Sequence, residues 1–195
     1  MSNNSQKAAD QILVERVQAG DKGAFDLLVK RYQHKVIGLI GRYVQDHAEA
    51  LDIAQETFIK AYKALDSFRG ESAFYTWLYR IATNTAKNYL VTRSRRPPGT
   101  DVDIDDVLQA ESESELREIE TPENNLYRDE LFSVMASALE ALPEELRVAL
   151  TLRELEGMSY EEIAEVMDCP IGTVRSRIFR AREAIDKELK PLLTD

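Results

Sequence analysis

Cysteine is nearly absent from this chain: Cys169 is the only one in 195 residues. A single thiol excludes an intramolecular disulfide and any multi-cysteine zinc site, and it suits a reducing compartment. Glycine and proline are scarce, at eight and six, and alternating apolar and polar runs are few, which leaves little material for hairpins and strands. No apolar run approaches the ~18 residues that a membrane span needs. The start, Met1-Ser-Asn-Asn-Ser-Gln6, lacks the charged opening and apolar stretch of a signal peptide. These absences predict a soluble, cytoplasmic, all-α protein. His34 and His47 lack metal-ligand neighbours and no phosphate-cradling G-x-x-x-x-G-K-[ST] loop occurs. The expectation is therefore no enzyme, with no catalytic residue, cofactor or metal.

Positive charge is also in deficit, with 25 basic against 35 acidic side chains and a formal net charge of −10. Taken alone, that balance argues against a nucleic-acid partner. The average hides a partition. Residues 1–96 hold 15 basic and 10 acidic side chains, residues 97–130 hold 2 and 12, and residues 131–195 hold 8 and 13. A short middle segment sets the total.

Apolar positions recur at three and four from Ile12 to Val44, with Gly20-Asp21 marking a helix end and a new start. The pattern resumes from Ala48 to Leu65 through Leu51, Ala54, Phe58, Ala61 and Tyr62. Asp66 to Gly70 breaks it, and Ser72 is placed to cap a further helix running to about Arg93. Arg96-Pro-Pro-Gly99 stops that helix. The following acidic stretch lacks helical periodicity and reads as a tether extended by its own charge. Asp101-x-Asp103-x-Asp105 is no calcium loop, because Asp106 and Ser112 occupy the places that need glycine and glutamate. Helical periodicity returns from Leu126 to Leu193, with a break at Leu142-Pro143. The expected organisation is two small helical domains, 8–96 and 128–193, joined by an acidic flexible linker, 97–127.

The second domain carries the sharper motif. Ser159-x-x-Glu162 is a capping box before a short apolar helix, and Asp168-Cys-Pro-Ile-Gly172 supplies a turn with Cys169 as N-cap and Pro170 at the first helical position. The next helix has an inward stripe at Ile171, Val174, Ile178, Ala181 and Ile185. Such a unit is a helix-turn-helix, whose second helix enters the DNA major groove. Opposite the stripe lie Gly172, Ser176, Phe179, Arg180 and Glu183, flanked by Arg175, Arg177 and Arg182; no acid occurs from Pro170 to Arg182. Arginine forks read guanine edges or pair with phosphates, and an outward phenyl ring suits a thymine methyl. Arginines on a helix face are by default merely solvated, but Phe179 has no reason to face water.

The first domain carries a different signature. Ser72 to Thr100 contains no acid, yet it holds Arg80, Lys87, Arg93, Arg95 and Arg96 among Phe74, Tyr75, Trp77, Tyr79 and Tyr89. On a helical wheel Phe74, Leu78, Ala82, Thr85 and Tyr89 face the core, while Thr76, Arg80, Thr83, Asn84 and Lys87 face outward with Trp77 and Tyr79 on the flanks. Aromatics beside cations are the equipment of single-strand binders. The preceding helix shows Asp52, Glu56 and Lys63 on its polar face with Gln55 at the edge, a stripe that sequence physics alone reads as plain solvated surface.

The strings DIAQETFIKAYKALDSFRGESAFYTWLYRIATNTAKNYL and LRELEGMSYEEIAEVMDCPIGTVRSRIFRAREAI resemble the extracytoplasmic-function group of bacterial sigma factors, in its sigma-E, envelope-stress and alginate-control, subgroup. The resemblance spans about residues 10–190. It implies a sigma factor that binds core RNA polymerase and directs promoter-specific initiation at −35 and −10 elements, aiding melting in an extracytoplasmic stress response. Asp52, Gln55 and Glu56 fall where the family docks on the β′ clamp helices, which reverses the solvated reading. The 66–73 loop falls where the family captures a flipped-out −10 base, a step that couples recognition to melting. Lys60, Ala64, Phe68, Trp77, Tyr79, Asn84 and Lys87 are the expected −10 residues. Arg153, Thr173, Arg175, Ser176, Phe179 and Arg180 are those for −35. The implied partners are the polymerase β′ and β subunits, promoter DNA (duplex at −35, single-stranded at −10) and a membrane-anchored anti-sigma factor. The acidic linker would thread towards the polymerase active-site and RNA-exit path. A rival reading from the motif alone is a dimeric helix-turn-helix regulator that binds operators without polymerase.

Overall fold

The computed structural model describes residues 3–95 and 122–193, with side chains described from 6–95 and 131–191. The described residues form helices and turns with no strand. Helix α1 spans Asn3–Gln18, α2 Lys22–Ile40, α3 His47–Ala64 and α4 Phe74–Ser94. Helix α5 spans Pro122–Ala141, α6 Glu144–Glu154, α7 Tyr160–Met167 and α8 Ile171–Leu193.

Local chemistry explains the boundaries. Gly20 takes φ +96°, and the bonds from Gly20 N to Val17 O (2.8 Å) and Asp21 N to Arg16 O (3.0 Å) close α1 in a Schellman turn. Asp21 then accepts from Ala24 N to open α2, and Asp46 accepts from Glu49 N to open α3. The expected cap at Ser72 does not form. Ala73 is the extended residue before α4 and no side chain caps it. The acidic linker expected over 97–127 lies outside the described residues up to 121, and its last six residues belong to α5, which opens on Pro122. A proline costs nothing there, since the first amides of a helix have no partner within it.

Helices α1 to α4 pack around Val14, Leu28, Val36, Ile40, Ile53, Leu65 and Leu78, all fully buried. Helices α5 to α8 pack around Val148, Leu152, Ile163, Val174 and Ile178. Each such side chain contributes about 1.5–3 kcal/mol of transfer free energy. The two groups do not stand apart: α7 lies against α4, and the buried apolar residues of both groups form one continuous cluster.

The inward stripe of α8 holds at Val174, Ile178 and Ala181, while Ile185 is half-buried and Ile171 is exposed at the helix mouth. The turn also shifts by one residue. Pro170 O accepts from Val174 N (3.2 Å) and from Thr173 N (2.9 Å), so Pro170 rather than Cys169 stands at the N-cap. Asp168 closes α7 at φ 51°, a left-handed conformation that its short polar side chain tolerates. Replacing Leu78 by alanine should leave a cavity against α2 and α3 and cost about 2–5 kcal/mol, which urea unfolding of the whole chain will measure.

Candidate nucleic-acid interface

The outward face of α8 is built by the helix-turn-helix itself. The Ser159 side chain accepts from Glu162 N (3.1 Å) and the Glu162 carboxylate accepts from Ser159 N (2.9 Å), so the expected capping box is present. With Val174, Ile178 and Ala181 buried, Gly172, Ser176, Phe179, Arg180 and Glu183 are exposed, Phe179 at 67%. Arg180 has no acidic partner among the described residues. Arg175 lies 5.7 Å from the centre of the Tyr160 ring, and Arg153 lies 4.8 Å from the same ring while donating to Met158 O (2.6 Å). The Tyr160 ring thereby gathers Arg153 of α6 and Arg175 of α8 onto one surface, a pairing across 22 positions that periodicity does not disclose. Thr173 is half-buried at the helix start. The flanking arginines are differently employed. Arg177 donates to Glu145 and to Cys169 Sγ (3.3 Å), and Arg182 pairs with Glu154, so both tie α8 to its scaffold rather than standing free for phosphate.

The face of α4 departs further from its helical wheel. Thr76, Thr83 and Tyr79 are buried, the last at 1% exposure: Thr76 and Tyr79 face α7 and the α6–α7 turn, and the Tyr43 hydroxyl donates to Thr83 Oγ1 (3.4 Å). Tyr79 Oη donates to Glu156 Oε2 (2.8 Å), and burial first, then the Glu156 charge, pushes its hydroxyl pKa up, so it stays a neutral donor. Asn84 and Arg80 remain exposed and Lys87 is half-buried. Phe68 and Trp77 meet at 5.0 Å between ring centres, and Phe74 sits 5.8 Å from Trp77. Beside them an open pocket of about 350 Å³ is lined by Ser67, Phe68, Arg69, Trp77, Arg80 and Glu165, among others. Ala64 is half-buried before the loop, where its carbonyl accepts from Ser67 Oγ (2.7 Å). Lys60 pairs with Glu56 (2.7 Å) and reaches Thr85 Oγ1 of α4 (3.4 Å). Of the expected −10 residues, Phe68 and Trp77 therefore share a pocket, Asn84 lies further along α4, Lys60 sits on α3, and Tyr79 is turned away.

On α3, Asp52, Gln55 and Glu56 are exposed. Leu51, Ile59 and Tyr62 are exposed beside them at 37%, 54% and 42%, although the apolar periodicity assigns Leu51 and Tyr62 to the core. Successive turns place all six on one side of the helix, a mixed apolar and acidic face that the sequence reading missed. The signal was available in Ile59, which does not fit the inward series.

Two helical groups, one presenting a helix-turn-helix and the other an aromatic-lined pocket beside a basic helix, define a helical protein of the DNA-binding class. Residues 28–96 match the family model for Sigma-70 region 2, and residues 134–185 match that for Sigma-70, region 4. The chain is 64% identical over 186 residues to the RNA polymerase sigma-H factor of Pseudomonas aeruginosa, covering 95% of this chain and 96% of that protein. It is 62% identical over 189 residues to the ECF RNA polymerase sigma-E factor of Escherichia coli strain K12, covering 97% and 98%. Among solved structures it resembles the sigma factor RpoE in complex with the anti-sigma factor NepR from Bartonella quintana, with 26% identity, a TM-score of 0.66, and coverage of 85% and 96%. The chain belongs to the extracytoplasmic-function, sigma-E-like sigma factors of the sigma-70 family. Its region 2 and region 4 bind promoter DNA and direct transcription initiation. Among the described residues no helix is long and apolar enough to cross a membrane.

The contact of α4 with α7 carries a pH signature. Burial opposes ionisation of Glu162, but bonds from the Tyr75 hydroxyl, Ser159 N and Lys7 outweigh it and hold its carboxyl below the ordinary 4.5. A depressed folded value stabilises the fold fully above the unfolded value and loses that contribution as pH falls through the folded one. The stability difference between wild type and Glu162→Gln should therefore shrink on acidification below about 4.5, as thermal unfolding across pH will show.

Proposed function

We propose that this sigma factor reads the −35 element with Arg153, Thr173, Arg175, Ser176, Phe179 and Arg180, and opens the −10 element at the pocket beside α4. The observation that carries the reading is the outward face of α8, where an exposed phenyl ring and an acid-partner-free arginine stand on a helix-turn-helix. Solvent gives Phe179 no reason to be there, and a thymine methyl does. The division into a −10 domain (8–96), a linker (97–127) and a −35 domain (128–193) belongs to the same proposal. Phe68 and Trp77 would receive an unstacked base, with Lys60, Ala64, Asn84 and Lys87 along the strand path. Tyr79 can join them only after α7 leaves α4.

The exposed stripe of Asp52, Gln55 and Glu56, widened by Leu51, Ile59 and Tyr62, is the proposed polymerase face: acidic groups set the orientation and apolar ones supply the buried area. The protein acts as a specificity subunit in the cytoplasm, without catalysis of its own. Its likeness to a sigma factor solved with an anti-sigma factor supports control by such a partner. The resemblance to sigma-E factors extends this to a membrane-anchored partner and an envelope-stress response.

Gel mobility with and without core polymerase tests the reading against an autonomous operator binder: specific promoter binding should need core, and tight duplex binding by the lone chain would overturn it. Arg180→Ala should cost ~1–3 kcal/mol at one base position and relax −35 preference there in transcription from a promoter library. Asn84→Ala should spare −35 binding yet impair opening in permanganate footprints; intact opening would refute its assignment.

A further inference from the structure

Helix α1 ends against the loop that leads from α3 to α4. The Gln18 side-chain amide donates to Leu65 O (2.9 Å) and to Phe68 O (3.0 Å), so both of its protons are used on one turn. That turn is the short 3-10 helix Leu65–Ser67, closed by Phe68 N on Leu65 O (3.0 Å). Among the described residues, the hydrogen bonds that tie the 65–73 segment to an element outside α3 and α4 both come from Gln18. Two turns earlier on α1, Gln11 lies over Gly70, which takes φ +72°; the Gln11 amide oxygen is 3.5 Å from where a Cβ would stand. The register of α1 is set by Asp10, 1% exposed, whose carboxylate accepts from Tyr32 Oη, Arg31 (2.5 Å) and Gln6 (3.2 Å). Asp10 lies about 12 Å along the helix from Gln18, so a buried anchor on the rod fixes where the amide falls at its end. Phe68, whose carbonyl Gln18 holds, puts its ring 5.0 Å from that of Trp77 in the pocket.

We propose that Gln18 is a positioning residue of the −10 site: it locks the Leu65 and Phe68 carbonyls, and through them the Phe68 ring, in the base-accepting arrangement before a strand arrives. Helix α1 thereby becomes part of the recognition apparatus. The proposal rests on the reading of the Phe68–Trp77 pocket as the −10 site. Two carbonyl oxygens that converge on one point repel each other, and a donor between them lets the turn stay tight. Water can satisfy either oxygen singly, but it does not fix one against the other. A loop left to water orders only when the base enters, and that ordering weakens capture. The amide fork orders it beforehand. Gln18 is itself exposed, so the apolar core does not need it, and it does not line the pocket. Its effect on a base therefore passes through Phe68.

The full chain in complex with core polymerase is compared with Gln18→Met, which keeps the side-chain length without a donor, and Gln18→Glu, which keeps the shape but adds charge. Permanganate footprints read opening on promoters that differ only in the captured −10 base, and thermal unfolding of the free chain reads the fold. Gln18→Met should slow opening about five-fold on the preferred base, the order expected for lost hydrogen bonds. It should also narrow that base's lead over the others, with core affinity and unfolding temperature unchanged. Combined with Phe68→Ala it should add little, because it acts through that ring. Wild-type opening and discrimination in Gln18→Met overturn the proposal. A loss seen in Gln18→Glu alone overturns it too, because that loss is charge against the strand. An equal loss on every base with a lowered unfolding temperature means plain support of the fold, and full additivity with Phe68→Ala means a separate action; either refutes positioning. Phe68→Ala by itself judges the −10 reading. If that variant opens every promoter as wild type, the reading falls and this proposal with it; if it slows opening while Gln18→Met does not, only the role of Gln18 falls.

Discussion

Helix α4 is buried from two sides, and that single constraint organises the molecule. One side closes the core of the first helical group through Phe74, Leu78, Ala82 and Ala86. The other meets α7 through Tyr75, Thr76 and Tyr79, whose hydroxyls need partners once water is excluded. Glu156 and Glu162 supply acceptors for the two tyrosines, and the lysines of α1 and α2 supply the countercharge that makes buried carboxylates tolerable. A helix that carries no acid of its own therefore receives its negative charge from another part of the chain.

This arrangement distinguishes the two DNA faces. The α8 face is complete as folded, because the buried stripe of the same helix fixes its orientation and the capping box fixes the helix before it. Arg180 and Phe179 project freely from it, whereas Arg177 and Arg182 brace the helix against α6. The α4 face is incomplete, with its aromatic pocket formed but Tyr79 turned inward and Glu165 at the rim.

The net charge of −10 gains a meaning from the same geometry. As a bulk number it argued against nucleic acid; split by segment it left two basic helices in an acidic chain. The structure adds that part of the acid is not background. Three glutamates, Glu156, Glu162 and Glu165, are spent on the cations of the other group. The mixed face of α3 is a parallel case, where Leu51 and Tyr62 fit the core pattern yet stand exposed, because α3 needs less than its full apolar arc to pack on α2 and α4.

Period, caps and charge runs by themselves determined that the chain is helical, that helices end at Gly20 and Leu142, and that a capping box opens the helix-turn-helix. They also determined that α8 turns Phe179 and Arg180 outward, since one helix's buried stripe fixes its opposite face. These are local properties, settled within a few turns of chain. Sequence did not determine the shared surface of Arg153 and Arg175 on Tyr160, the pocket joining Phe68 to Trp77, the bracing of Arg177 and Arg182, or the burial of Thr76, Tyr79 and Thr83. Each of those depends on what another element brings, and a helical wheel has no record of a neighbour. Tertiary packing alone decided which of two polar faces met water.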